Sequence, residues 1–422
     1  MRWKRAAGRG LLAGAVLLAA YAGCGVPSLS GGGERGPLTL ATAGDLTEYL
    51  GPLLDGWNRT HPGEEVTLVE LPDSADETRA QMITELRSGS ERFDVLNIDV
   101  AWTSEFAAAG WINPLNRDDF PLKSFLAPVV DTATFGGELY AVPYVTNAGL
   151  LYYRKDVLDR EGEEPPHTWA ELERQARTIA PAHGLEGYAG QFLPYEGLTA
   201  NAVEVVRSAG GSFLDDEGTR VTVDSAAAAK GLTFLADGVR DGWIPWEALS
   251  YKEEESRLAF QNGELLFLRN WPYVHGLAGA PGSEVAGKFG TVPLPGLDGP
   301  GTSVLGGSNL AVSTHSRHPD SAADLIAYLT SERVQRRVLT DGSLPPVRAD
   351  LYADPELVRE HPYLPALRES VLAAEPRPKS ARYDQVSLAV QAVVHDTLAL
   401  RQSPEDAVAR LGRELARIAD AG

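Results

Sequence analysis

The stretch LLFLRNWPYVHG, Leu265–Gly276, poses the chemical question of this chain. Four apolar residues stop at Arg269 and Asn270, and Trp271, Pro272, Tyr273 and His275 follow within one short run. Aromatic rings at the end of a strand offer an apolar face and a polar edge to whatever lies beyond it. Carboxylates form the second group. Asp99 lies at the end of the apolar run FDVLNIDV, and Glu253, Glu254 and Glu255 open a helical segment ahead of the aromatic run. Two carboxylates flanking a sugar make a glycosidase, and Asp99 with Glu253 is such a pair, although sequence gives no separation between them. Other catalytic signatures fail. Gly282–Phe289 has the spacing G-x-x-x-x-G-K, but Phe289 stands where a magnesium-binding hydroxyl belongs, and no strand precedes it. His315 and His318 have no third ligand nearby, and Pro319 opens a helix there, so no metal site is expected. There is no G-x-S-x-G elbow, and Cys24 is the only cysteine. No cofactor and no enzymatic activity are expected.

The elements that would position these groups follow from periodicity. LTLATAG (38–44) reads as a strand, and Leu46, Leu50, Leu53, Leu54 and Trp57 then share one helical face. Val66–Leu71 is a second strand, DETRAQMITELRSGS a helix, and FDVLNIDV a third strand. The order β-α-β-α-β predicts a parallel or mixed sheet covered on both faces, with ligands beyond the carboxyl ends of the strands. Asp99, Trp102 and Thr103 lie near that edge. Gly136–Asp159 reads as strand, Pro-containing turn and a second β segment that enters a helix. Thr168 and Glu171 form a capping box for the next helix. From there to about Asn270 the pattern is mostly helical, with amphipathic segments at 200–209, 226–240 and 253–261. Gly307–Ser316 reads as a strand returning to the first domain. HPDSAADLIAYLTSERVQRRVL reads as one helix opened by Pro319. Of the last two helices, the second has Ser403 as N-cap and Pro404 in its first turn.

The chain ends bound location and partners. Residues 1–23 have a basic head, Arg2, Lys4, Arg5 and Arg9, followed by an apolar stretch too short to span a bilayer, which is the layout of a secretory signal. The segment ends at Cys24, and YAGC resembles the lipobox of bacterial lipoproteins, with Tyr21 in place of the usual aliphatic residue. An ordinary signal with a chance cysteine is the alternative. Residues 24–36, rich in Gly and Ser, read as a flexible tether. The whole chain holds 38 Lys and Arg against 58 Asp and Glu, a net charge of −20, and four of those basic residues lie in the leader. That acid excess argues against nucleic acid as a partner.

FDVLNIDVAWTSEFAAAGWI, LYAVPYVTNAGLLYYRKDVL, YEGLTAN, EEESRLAFQNGELLFLRNWPY, GGSNLAVSTHSRHP and RYDQVS occur in this order behind the leader. Together they resemble the solute-binding proteins of bacterial sugar importers, of the maltose/trehalose-binding type, over nearly the whole chain after the leader. The resemblance implies an α/β, two-lobe periplasmic-binding-protein fold, the Venus-flytrap, with a hinge and an interlobe ligand cleft that closes on its ligand. Lobe 1 is expected over 37–145 and 307–347, and lobe 2 over 146–306 and 348–422. The implied ligand is a di- or oligosaccharide, maltose or trehalose among them. The implied partners are ABC permease subunits, and the protein is expected as a monomer, lipid-anchored through Cys24 to the outer face of the cell membrane.

Under that resemblance the chemical groups take roles. A flat ring covers the C–H face of a sugar, and planar polar groups take its hydroxyls. Trp271 is the expected platform, with Tyr273 as a second wall; the alternative is a core anchor beside Pro272. Asp99 would accept from a pair of hydroxyls, or cap the helix after it. Asn147 would both donate and accept, or serve as a turn residue at the hinge. Glu253 matches a family sugar contact, with Glu254 and Glu255 as neighbouring candidates, and a solvated charge run is the alternative. Gly306 and Gly307 would let backbone approach the ligand. Arg382 matches a family arginine at the cleft, and Asp45 and Gln81 complete the set. YEGL (195–198) is taken as structural. The competing functions are a glycosidase and a binding protein for a non-sugar solute.

Overall fold

The structure, a computed structural model, describes residues 35–44, 47–72, 74–216 and 218–420. The described residues up to 71 contain the expected β-α-β start. Leu38–Ala43 (β1) and Val66–Leu71 (β2) pair in parallel, Leu38 against Val66, with the helix Thr47–Asn58 between them. The helix Ala75–Arg87 then leads to Val95–Asp99 (β3), which pairs in parallel with β1. Leu40, Ala41, Leu96 and Ile98 are buried in the middle of this sheet. Near-continuous apolar strands are what a sheet covered on both faces requires.

A short hairpin, Thr134–Phe135 (β4) with Glu138–Leu139 (β5), precedes the long strand Val142–Ala148 (β6). Gly149 then passes the chain into Leu150–Arg154 (β7), the first strand of a second sheet. That sheet is completed by Glu186–Ala189 (β8), Leu265–Asn270 (β9) and Phe289–Pro293 (β10), in the order β10-β7-β9-β8. Leu305–Val312 (β11) returns to the first sheet and inserts between β3 and β6, antiparallel to both, giving the order β2-β1-β3-β11-β6. The expected returning strand is therefore present, two residues earlier than its sequence pattern suggested. Its register on β6 shifts at Ser308/Asn309. Gly307 lies just before that irregularity at φ +104°, a conformation that side chains disfavour.

One reading is refined and one is corrected. The segment from Thr168 to about Asn270 is mostly helical, but it also holds β8, whose four residues are too few to show a period of two. The single helix expected after Pro319 is two, Pro319–Leu329 and Glu332–Gly342. The break falls where Thr330 Oγ1 donates back to Ile326 O at 2.8 Å and Ser331 adopts extended angles.

The chain passes between the sheets at three places, and these passages are bonded together. Thr146 N donates to Pro345 O at 3.1 Å, and Leu305 N to Glu375 O at 2.9 Å. The helix Leu364–Leu372 packs on β6, β7 and β10, so it touches both sheets. The helices Glu196–Ser208, Ala226–Arg240, Tyr383–Leu398 and Pro404–Asp420 pack on one another beside the second sheet. Among the described residues, no helix is long and apolar enough to cross a membrane.

Candidate functional site

The ends of β3, β6 and β9 and the start of β11 meet between the two sheets. Asp99 ends β3 opposite Ser308 on β11. Its Oδ1 accepts from Ala101 N at 2.8 Å, so it does cap the turn that follows, and it also accepts from Arg377 Nη2. Arg377 lies in the loop ahead of the last helix pair, and its side chain is 4 % exposed. Its Nη1 donates to Glu196 Oε1 at 2.6 Å. Glu196 opens the helix Glu196–Ser208 and further accepts from Tyr383 OH and from Ser387 Oγ, the latter at 2.6 Å. One guanidinium thus joins a carboxylate of the first sheet to a buried carboxylate beside the second. Burial raises the Asp99 carboxyl above its ordinary range, against the pull of Arg377.

Trp271 follows β9 directly and is held by several contacts. Its N–H donates to Asn270 Oδ1 at 2.7 Å, and its carbonyl accepts from Tyr152 OH at 2.8 Å. The indole Nε1 donates to Glu253 Oε1 at 3.4 Å. The Arg269 guanidinium lies over one face, 4.0 Å from the ring centroid. A Cβ on Gly306 would stand 3.0 Å from Trp271 Cζ3 and 3.3 Å from Asn147 Cβ, so any larger residue would press these two side chains apart. Trp271 remains half-buried.

The three adjacent glutamates separate by partner. Glu253 Oε2 accepts from Tyr195 OH at 2.6 Å, beside its contact with Trp271. Glu254 accepts from Tyr273 OH at 2.7 Å and pairs with Arg257. Glu255 turns back to the N–H of Lys252 as a helix cap. Burial, with the carboxylates next to them, raises Tyr195 and Tyr273 well above the ordinary phenol value, so both stay hydrogen-bond donors.

The other expected residues fall as follows. Asn147 pairs with Gly306 across β6 and β11 and is half-buried. The room that Gly307 leaves is filled by Val145 O, 2.1 Å from where a Cβ would be, so its backbone approach is to β6. Arg382 is half-buried at the start of the helix Tyr383–Leu398, and the arginine bonded to Asp99 is Arg377, five positions earlier. Gln81 is half-buried on the helix Ala75–Arg87 and is no part of the bonded set above. Asp45 and Cys24 lie outside the described residues.

Arg377 and Tyr383 were not singled out as site residues in the sequence, and Tyr195 and Glu196, within YEGL, were read there as structural. Arg377 had one usable signal, its place between Pro376 and Pro378, which stiffen the loop around it. Several buried polar atoms at this end of the sheets have no hydrogen-bond partner among the described residues: Ser308 Oγ, Thr146 Oγ1 and Arg377 Nε. Buried polar groups are normally satisfied, so such a group of orphans marks a place for polar partners. Among the described residues, no group of three His, Cys, Asp or Glu side chains is placed to hold a metal ion.

Residues 43–336 match the family described as Bacterial extracellular solute-binding protein. A Deinococcus radiodurans protein named Probable ABC transporter-binding protein is 34% identical over 378 residues, covering 87% of this chain and 90% of its own. The Mannitol-binding protein of Pseudomonas aeruginosa is 26% identical, covering 83% of this chain and 82% of its own. Among solved structures, maltose-bound MalE3 of T. maritima superimposes with a TM-score of 0.84 at 35% identity, over 90% of this chain and 99% of that one.

Proposed function

The chain belongs to the bacterial extracellular solute-binding protein family, and on that premise we propose that its cleft takes a di- or oligosaccharide, maltose or trehalose, and hands it to an ABC permease when the lobes close. The family is one of extracytoplasmic binding proteins, not of enzymes. Its fold is the two-lobe one seen in the MalE-type neighbour. The observation that supports a sugar is the half-buried indole of Trp271, with Arg269 over one face and its Nε1 on Glu253, which also accepts from Tyr195, at the strand ends where Asp99 meets Arg377. An apolar plane with hydroxyl-binding groups at its edge suits a pyranose ring. The maltose-bound relative makes maltose the first candidate. The mannitol-binding relative favours a second reading, an acyclic polyol.

The ligand set proposed is Asp99, Asn147, Glu253, Trp271, Tyr273, Gly306 and Gly307, with Arg382, Asp45 and Gln81 at its margin. Arg377 and Tyr195 join it on their contacts. The lobes are taken as 37–145 with 307–347, and 146–306 with 348–422, hinged near 144–148, 303–307 and 346–350. Residues 1–23 are taken as the leader, Cys24 as the lipid-bearing residue and 24–36 as the tether of a monomeric protein.

A thermal-shift screen against sugars and polyols tests the reading, because a ligand that binds only the folded state raises its stability by about 2.7 kcal/mol at a hundredfold excess over Kd. Maltose or trehalose should raise the melting temperature. A rise with mannitol alone supports the polyol reading, and no rise with any sugar or polyol rejects both.

A further inference from the structure

We infer that Arg269 is the positioning residue of the aromatic wall: it seats Trp271 and, through Glu204, ties that wall to two of the chain crossings. The inference rests on the reading that Trp271 lines a sugar cleft. Arg269 is the next-to-last residue of β9, follows its four apolar residues, and is fully buried. A buried guanidinium is tolerated only with good partners, and packing alone would be served as well by an apolar residue. Its partners are directional. Nε and Nη2 donate to Glu204 Oε2 and Oε1 at 2.7 and 2.5 Å, and Nη1 donates to Gln191 Oε1 at 2.8 Å. Its plane is then fixed over Trp271, 4.0 Å from the ring centroid.

Glu204 extends the chain of contacts. Its Oε1 accepts from Ser303 Oγ and Val304 N, each at 3.3 Å, in the crossing that enters β11. The ion pair also fills the space over Gly149, in the crossing between β6 and β7. A Cβ there would stand 2.5 Å from Glu204 Oε1 and 2.7 Å from Arg269 Nη2. Any rotation at these crossings displaces Glu204, hence Arg269, hence the indole. A sugar stacked on the face of Trp271 opposite Arg269 biases the crossings by the same route. Coupling of this kind needs a physical chain of contacts that both ends can shift, and the pair supplies one.

The test labels the mature protein with fluorotryptophan and records its fluorine NMR spectrum, with the Trp271 signal assigned by its loss in Trp271→Phe. Ser303→Ala removes a hydroxyl that bonds Glu204 and does not bond Trp271. The Trp271 signal should move in Ser303→Ala and in Glu204→Gln, as it should in Arg269→Lys, while that of Trp57 stays. A Trp271 signal unmoved in both distant variants overturns the coupling, and Ser303→Ala keeps this arm decisive if the charge variants fail to fold. In calorimetric titrations with maltose, Arg269→Lys should lower affinity about tenfold in the wild-type background and less than about twofold in the Trp271→Ala background. Equal losses in both backgrounds show that Arg269 acts through the fold alone and overturn the inference. If the fluorine signals respond as expected and no sugar binds, the coupling stands and the sugar reading falls.

Discussion

Arg377 pairs with two carboxylates, Asp99 and Glu196, in a mostly buried site. Breaking such a pair costs more than it contributes, because the abandoned charges stay buried. Arg377→Met should therefore lower stability by about 3–5 kcal/mol and abolish ligand binding. Chemical denaturation of the unliganded protein checks this, and a midpoint unchanged within error would show that the network does not hold the lobes. The same residues show what a sequence can express. Asp99 and Trp271 were visible because each ends an apolar run, and such runs become strands whose ends meet at the cleft. Arg377 and Glu196 were not visible, since 181 positions separate them and 278 separate Arg377 from Asp99. No spacing rule spans such distances; only the fold brings them together.

At the scale of elements, the helix Val274–Ala278 follows directly on Trp271 and Pro272. Its His275 packs against Phe289 and Tyr363, with ring centroids 5.1 and 4.7 Å away. Burial, aided by His361 nearby, lowers its pKa from 6.5 to about 4. The native state therefore binds fewer protons than the unfolded chain between these values. The contribution is complete above about pH 6.5 and is lost as pH falls toward 4. His275→Gln should reduce the loss of stability between pH 7 and about pH 5 seen in urea midpoints. An identical pH slope in the variant would remove His275 from the account. Elements with strong local signals were legible: the capping box of Thr168 and Glu171 forms, and Ser403 accepts from Asp406 N at 3.1 Å. Short strands such as β8, and a helix broken by a back-bonded Thr330, were not, because tertiary pairing decides them.

At the scale of the molecule, Arg377 links Asp99 to Glu196, and Arg79, paired with Glu105, also reaches Asp384 at 3.6 Å. Both contacts join elements of the first sheet to the helices beside the second. A sugar can favour closure only by binding the closed form better than the open one. Small-angle scattering should give a smaller radius of gyration with saturating sugar, and an equal radius counts against a hinge. Lipidation at Cys24 predicts that Cys24→Ser moves the protein from the membrane fraction to the medium; an unchanged membrane fraction rejects the anchor. The central claim is a sugar stacked on the face of Trp271 opposite Arg269, and calorimetric titration of wild type and Trp271→Ala with maltose tests it most directly. The account predicts one saturable site in the wild type and an affinity roughly 30-fold or more lower in the variant, about 2 kcal/mol, with a similar unliganded melting temperature. Binding retained within about threefold by the variant, or a collapse of its unliganded melting temperature as for a core tryptophan worth about 3–5 kcal/mol, would contradict it.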